Sequence, residues 1–131
     1  MRKRSLRMLL VAVACVSFCA SGSAAERLSG DGLKQEISGK EVFLATPFGG
    51  EFPLNYHANG VVDGSGKAVG LGKFMQPNDS GSWWVDGENL CQKWKSWYNG
   101  KPFCFTIEKL APGKIAWTRD DGLKGTARVS D

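Results

Sequence analysis

The chain has 131 residues, with 17 Lys or Arg against 13 Asp or Glu, an excess that invites a nucleic-acid or membrane-surface reading. Four of those cations, Arg2, Lys3, Arg4 and Arg7, stand in the first seven residues, and without them basic and acidic residues balance at 13 each. A balanced chain lacks the cation surplus that displaces counterions from phosphates, so no nucleic-acid partner is expected, and a polybasic membrane-surface role loses support for the same reason.

The amino-terminal cations lead into Met8–Ala20, an uncharged and almost wholly apolar run of 13 residues, and then into the small residues Ser21–Ala25. This is the pattern of a secretory signal peptide, with cleavage expected between Ala25 and Glu26. The apolar run is shorter than the roughly 20 residues that span a bilayer, so no stable membrane span is expected after cleavage. Lipoprotein processing before Cys15 is an alternative, because the small Ala14 precedes that thiol, although Ala12 stands where Leu would suit better. Cys19 follows bulky Phe18 and fits worse. The expected organisation is a signal peptide over 1–25, an amino-terminal segment with a short helix over 26–40, and one β-domain over 41–131, placed in the periplasm or secreted.

Only Cys91 and Cys104 remain in the 106-residue processed chain. In an oxidising compartment two thiols form a disulfide; free thiols or a pair of metal ligands are the alternatives. His57 is the sole histidine, so a four-ligand zinc site of Cys and His is out of reach. No metal and no cofactor is expected.

Leu28–Lys40 is the helical candidate. Ser29 or Asp31 can cap it, Leu33 and Ile37 share a face, and Gly39 suits a left-handed end. From Glu41 the pattern changes to short β-like runs broken by glycine. Glu41–Thr46 leads to the turn Pro47-Phe48-Gly49-Gly50. Phe52, Leu54 and Tyr56 alternate with polar neighbours, and Pro53 points to an edge or a bulge. After Asn59-Gly60 come the weaker runs Val61–Val62 and Lys67–Phe74, then Ser82–Asp86, Leu90–Trp97, Pro102–Lys109, Lys114–Arg119 and Leu123–Val129. About eight short strands argue for an all-β meander, sandwich or barrel.

A disulfide would also set a register. With Cys91 opposite Cys104, Lys95 faces Gly100 and Ser96–Asn99 form the loop, which places Trp97 and Tyr98 at a partly exposed tip. A two-residue Asn99-Gly100 turn would pair Cys91 with Glu108 and part the cysteines.

Catalysis finds little support. His57 lies in Tyr56-His57-Ala58-Asn59-Gly60, a strand end entering a turn, with no nucleophile elbow or free thiol at hand. Asp120-Asp121-Gly122 reads as turn chemistry. Gly64-Ser65-Gly66 and Gly70-Leu71-Gly72 lack the strand–loop–helix setting of a phosphate cradle. The expectation is a protein that is not an enzyme.

Aromatic residues are the unusual feature. Trp83, Trp84, Trp94 and Trp97 fall within 15 positions. Core packing explains most of such a cluster, with the adjacent Trp83 and Trp84 on opposite faces of one strand. The sharper reading is a ligand platform of Trp94, Trp97 and Tyr98 rimmed by Lys93, Lys95 and Lys101.

Tyr56 with Asn59-Gly60, then Gly81-Ser82-Trp83-Trp84-Val85-Asp86-Gly87, Leu90-Cys91-Gln92-Lys93-Trp94 and Cys104-Phe105-Thr106-Ile107 together resemble a group of small exported bacterial domains of unknown function with lipocalin-like β-barrels. The similarity covers roughly residues 28–120. It implies a small, closed antiparallel barrel rather than an open sandwich, and no catalytic residues. The expected function is therefore binding of a small molecule or an envelope component. The alternative is a protein-interaction module, such as an inhibitor of a periplasmic or host hydrolase.

Overall fold

The computed structural model describes residues 12–17, 25–47, 49–65 and 78–130. Most of the expected signal segment, Phe48 of the first turn and the expected Lys67–Phe74 strand lie outside these residues. Cys15 is exposed and its thiol is free.

Two residues, β1 (Glu26–Arg27), precede helix α1 (Gly30–Ile37). Eight strands follow: β2 (Lys40–Ala45), β3 (Glu51–Tyr56), β4 (Val61–Ser65), β5 (Asn78–Asp86), β6 (Asn89–Trp94), β7 (Phe103–Ala111), β8 (Lys114–Arg119) and β9 (Lys124–Ser130). Each pairs antiparallel with the next, and β9 returns to pair with β2, so the sheet closes into an eight-stranded up-and-down barrel. Closure leaves these strands without free edges. The short β1 lies alongside β7.

Pro53 meets this closed sheet without a true edge. It pairs with Phe43 of β2, but pairing with β4 begins only at Leu54, so its missing N–H falls just outside that ladder.

Alternation along each strand divides core from surface. Val42, Leu54, Tyr56, Val62, Trp83, Leu90, Trp94, Ile107, Ile115, Ala127 and Val129 are buried in one core. Trp83 faces that core, whereas its neighbour Trp84 stands on the outer wall, 41% exposed. One end of the barrel is covered by α1. Gly39 ends this helix in the left-handed region at φ 75°, and Ser29 stands at its start without a side-chain capping bond. Leu33 and Ile37 are completely buried against the barrel. Backbone bonds from Leu28 to Ile107, Gly30 to Gly87 and Gly39 to Tyr56 tie the helix and its flanks to the middle of β7, the β5–β6 turn and the end of β3.

The disulfide joins Cys91 and Cys104, which face each other across β6 and β7. Residues 89–92 pair with 106–103 in the register expected for that bond. The ladder stops at Gln92 and Phe103, and the connection closes through Trp97–Gly100, where Tyr98 and Asn99 take left-handed backbone at φ 56° and 55°. Among the described residues no helix is long and apolar enough to cross a membrane.

Candidate functional site

The barrel end opposite α1 collects the β2–β3, β6–β7 and β8–β9 connections. It opens into a cavity of about 220 Å³. Because strand residues two apart share a face, the cavity draws its lining from several strands: Leu44 from β2, Phe52 and Leu54 from β3, Gln92 and Trp94 from β6, Phe103 and Phe105 from β7, and Trp117 and Arg119 from β8. Trp97 and Tyr98 come from the β6–β7 connection. Below it, toward α1, lies a smaller apolar cavity of about 30 Å³ that shares Leu44, Leu54, Gln92, Phe105 and Trp117 with the mouth. Among the described residues the barrel is thus filled beneath and open above.

Trp97 departs from the expected exposed tip: only 4% of it is accessible. Both its backbone N–H and that of Ser96 donate to the Asp79 carboxylate, at 2.8 and 2.9 Å, which folds the turn inward. The indole then lies 4.6 Å from Trp94 and meets Phe52 edge-on at 5.6 Å. Contacts of this kind stabilise by about 0.5–1.5 kcal/mol each beyond area burial. Tyr98 does stand at the tip, 52% exposed, and meets Phe103 edge-on at 5.0 Å.

The three lysines of the expected rim do not converge on the cavity. Lys93 and Lys95 border a separate groove on the outer wall with Ser82, Asn99 and Gly100. Lys101 extends over the Phe103 ring at 5.5 Å. The cation that lines the mouth is Arg119, which the sequence reading passed over. Its guanidinium lies 4.3 Å from the centre of Phe103 and 5.5 Å from that of Tyr98, a placement that favours the cation over the ring faces. Nε and Nη2 donate to the two carboxylate oxygens of Asp121 at 2.8 and 2.6 Å, a bidentate pair that fixes the plane of the guanidinium. The hydrogen bonds from Arg119 hold the Asp121 carboxyl down at about 2.

Two polar groups lie deeper. The Tyr56 hydroxyl donates to the Gln92 side-chain oxygen at 2.6 Å. Burial pushes the Tyr56 phenol well above its ordinary range, so it stays protonated. The indole N–H of Trp117 is buried without a partner among the described residues. Its ring lies where a side chain on Gly125 would be: a Cβ there would come within 2.8 Å of the indole. Glycine on β9 therefore lets Trp117 lie across the barrel, edge-on to Phe105 at 5.7 Å.

His57 sits at the other end of the barrel, where it hydrogen-bonds Asp63, which also accepts from Asn55 at 3.0 Å. Both His57 and Asp63 are exposed at their side chains. Among the described residues no three His, Cys, Asp or Glu gather as metal ligands. Compared with known protein families, curated proteins and solved structures, the chain has no match.

Proposed function

We propose that this is an exported, non-enzymatic binding protein of the periplasm or the extracellular space, which takes a small planar ligand into the mouth of a lipocalin-like barrel. The observation that carries this reading is the aromatic cavity itself, bounded by Trp94, Trp97, Phe103, Phe105 and Trp117 and open at one end. Concave, mostly apolar sites with a few placed polar groups are the usual form of small-molecule sites. Volume narrows the ligand class. A cavity of about 150 Å³ holds benzene, so 220 Å³ suits one aromatic ring with a short substituent and is too small for haem, a nucleotide or a long acyl chain. Export rests on the amino-terminal pattern and agrees with the Cys91–Cys104 bond, since such bonds persist in oxidising compartments.

The test is a titration of tryptophan emission with phenol, phenylacetate and 2-phenylethanol. A saturable change that Trp97→Leu abolishes is the expected result. Absence of a saturable response to every such compound overturns the reading. A second reading, a module that inhibits a hydrolase, is favoured only by exposed Tyr98 on a connection pinned by the disulfide and Asp79. It calls for a Tyr98→Ala protein that loses capture of a partner while keeping its fold.

A further inference from the structure

The proposed ligand site is selective in its chemistry as well as its size. Its hydrogen-bonding groups are unevenly spent. The Gln92 oxygen is occupied by Tyr56, while the Gln92 amide nitrogen makes no hydrogen bond among the described residues. The Trp117 N–H is likewise unpartnered among them. Thr46, also at the mouth, has its hydroxyl engaged both ways with the Gly50 backbone, at 3.0 and 3.1 Å. Arg119 uses Nε and Nη2 on Asp121 and also interacts with the Tyr98 hydroxyl. Gln92 therefore brings an unspent donor to the aromatic cavity and Arg119 brings its charge, whereas the Trp117 N–H is covered and does not face a ligand there. No acidic residue is among the described residues that line it, and its one charged side chain is a cation.

We infer that the mouth binds small aromatic carboxylates, with the ring between Trp97, Phe103 and Phe105 and the carboxylate at Arg119. This rests on the proposed function and specifies its ligand class. A guanidinium matches a planar carboxylate in shape as well as charge. Here its plane is set in advance by Asp121 and by the Phe103 ring, so little side-chain freedom remains to be lost on binding. The low dielectric of an aromatic wall strengthens such a contact over its value in open water. A neutral ligand of the same shape would fill the cavity but add no charge-assisted bond to the guanidinium, whose partner would remain Asp121 alone.

Isothermal titration of the mature protein with phenylacetate and with 2-phenylethanol tests this directly, because the two share a ring and a chain length and differ in the end group. The expected result is phenylacetate binding at least tenfold tighter. Arg119→Gln should reduce that preference to about twofold or less without weakening 2-phenylethanol. Equal affinities in the unaltered protein overturn the inference and leave the small-ligand reading standing. Failure of both compounds to bind overturns both. A preference that survives Arg119→Gln places the anion elsewhere and overturns the role of Arg119. Should Arg119→Gln not fold, the comparison in the unaltered protein decides alone, and loss of the phenylacetate preference in high salt provides the second measurement.

Discussion

Tyr56 and Gln92 show how one polar pair can be tolerated inside an apolar barrel. Both are buried, at 4% and 5% accessible, and their hydrogen bond spans β3 and β6 across the interior rather than along the sheet. Removing only the hydroxyl leaves the Gln92 oxygen buried and unmet, which costs the desolvation of that group, about 1–3 kcal/mol. Replacing both partners by apolar groups of similar size removes the unmet acceptor along with its donor. Tyr56→Phe is therefore expected to destabilise by about 1–3 kcal/mol, and Gln92→Leu on that background to restore most of the loss. Urea unfolding of the two single variants and the double variant measures the coupling. Simple additivity would show that the bond links nothing. The buried phenol also ties stability to high pH. Its folded pKa lies above the unfolded value near 10, so its contribution is complete below about pH 10 and is lost as pH rises beyond it.

At the level of elements, the β6–β7 hairpin is the part of the molecule most constrained by covalent chemistry. Cys91 and Cys104 point to the outer wall, because Leu90, Gln92 and Trp94 take the inward positions of β6. Their bond closes a loop of 13 residues' separation, which in the chain-entropy account stabilises by about 3 kcal/mol through the unfolded state. Cys91→Ala with Cys104→Ala should therefore lower unfolding free energy by about 3 kcal/mol. It should also steepen the urea dependence, since the unbridged unfolded chain exposes more surface. An unchanged midpoint would place the constraint in the barrel alone. Much of this level was legible in the sequence. Glycine and Asn-Gly punctuation set off most of the strands, Leu33 and Ile37 marked the helix face, and two thiols supplied a register that a turn motif would have shifted. Other features escaped. β5 begins at Asn78, four residues before the expected strand, because Asn78-Asp79-Ser80-Gly81 has no apolar alternation to announce it. Gly81 lies just outside the expected Ser82–Asp86 strand, yet it stands inside β5 where a Cβ would lie 2.0 Å from the Lys93 carbonyl oxygen, a backbone contact only glycine permits.

The two ends of the barrel differ in packing, and that difference explains which half of the candidate site sequence reasoning could reach. Trp94, Trp97 and Tyr98 are neighbours in the chain and stood out as a cluster. Phe52 on β3 and Trp117 and Arg119 on β8 stand two or more strands from that cluster along the sheet and meet it only across the interior of the curved barrel, which no local pattern encodes. The lysines next to the tryptophans in sequence face outward for the same reason of parity that sends Cys91 outward. Structurally, α1 and the lower core hold the fold, whereas the mouth keeps a void that a fold optimised for stability alone would fill. The two ends should then respond separately to substitution. Ile37→Val beneath the cavity is expected to cost about 0.5–1.5 kcal/mol of stability and to leave phenylacetate affinity within about twofold. Phe105→Leu, which removes a ring from the wall shared by both cavities, should weaken phenylacetate severalfold. Phenylacetate at a hundred times its Kd should raise the unfolding free energy of the unaltered and Ile37→Val proteins equally, by about 2.7 kcal/mol, because that increment depends on occupancy and not on the starting stability. Thermal unfolding with and without phenylacetate measures it. A smaller increment for Ile37→Val at the same concentration would mean that packing under α1 shapes the mouth, and that the two ends form a single cooperative site.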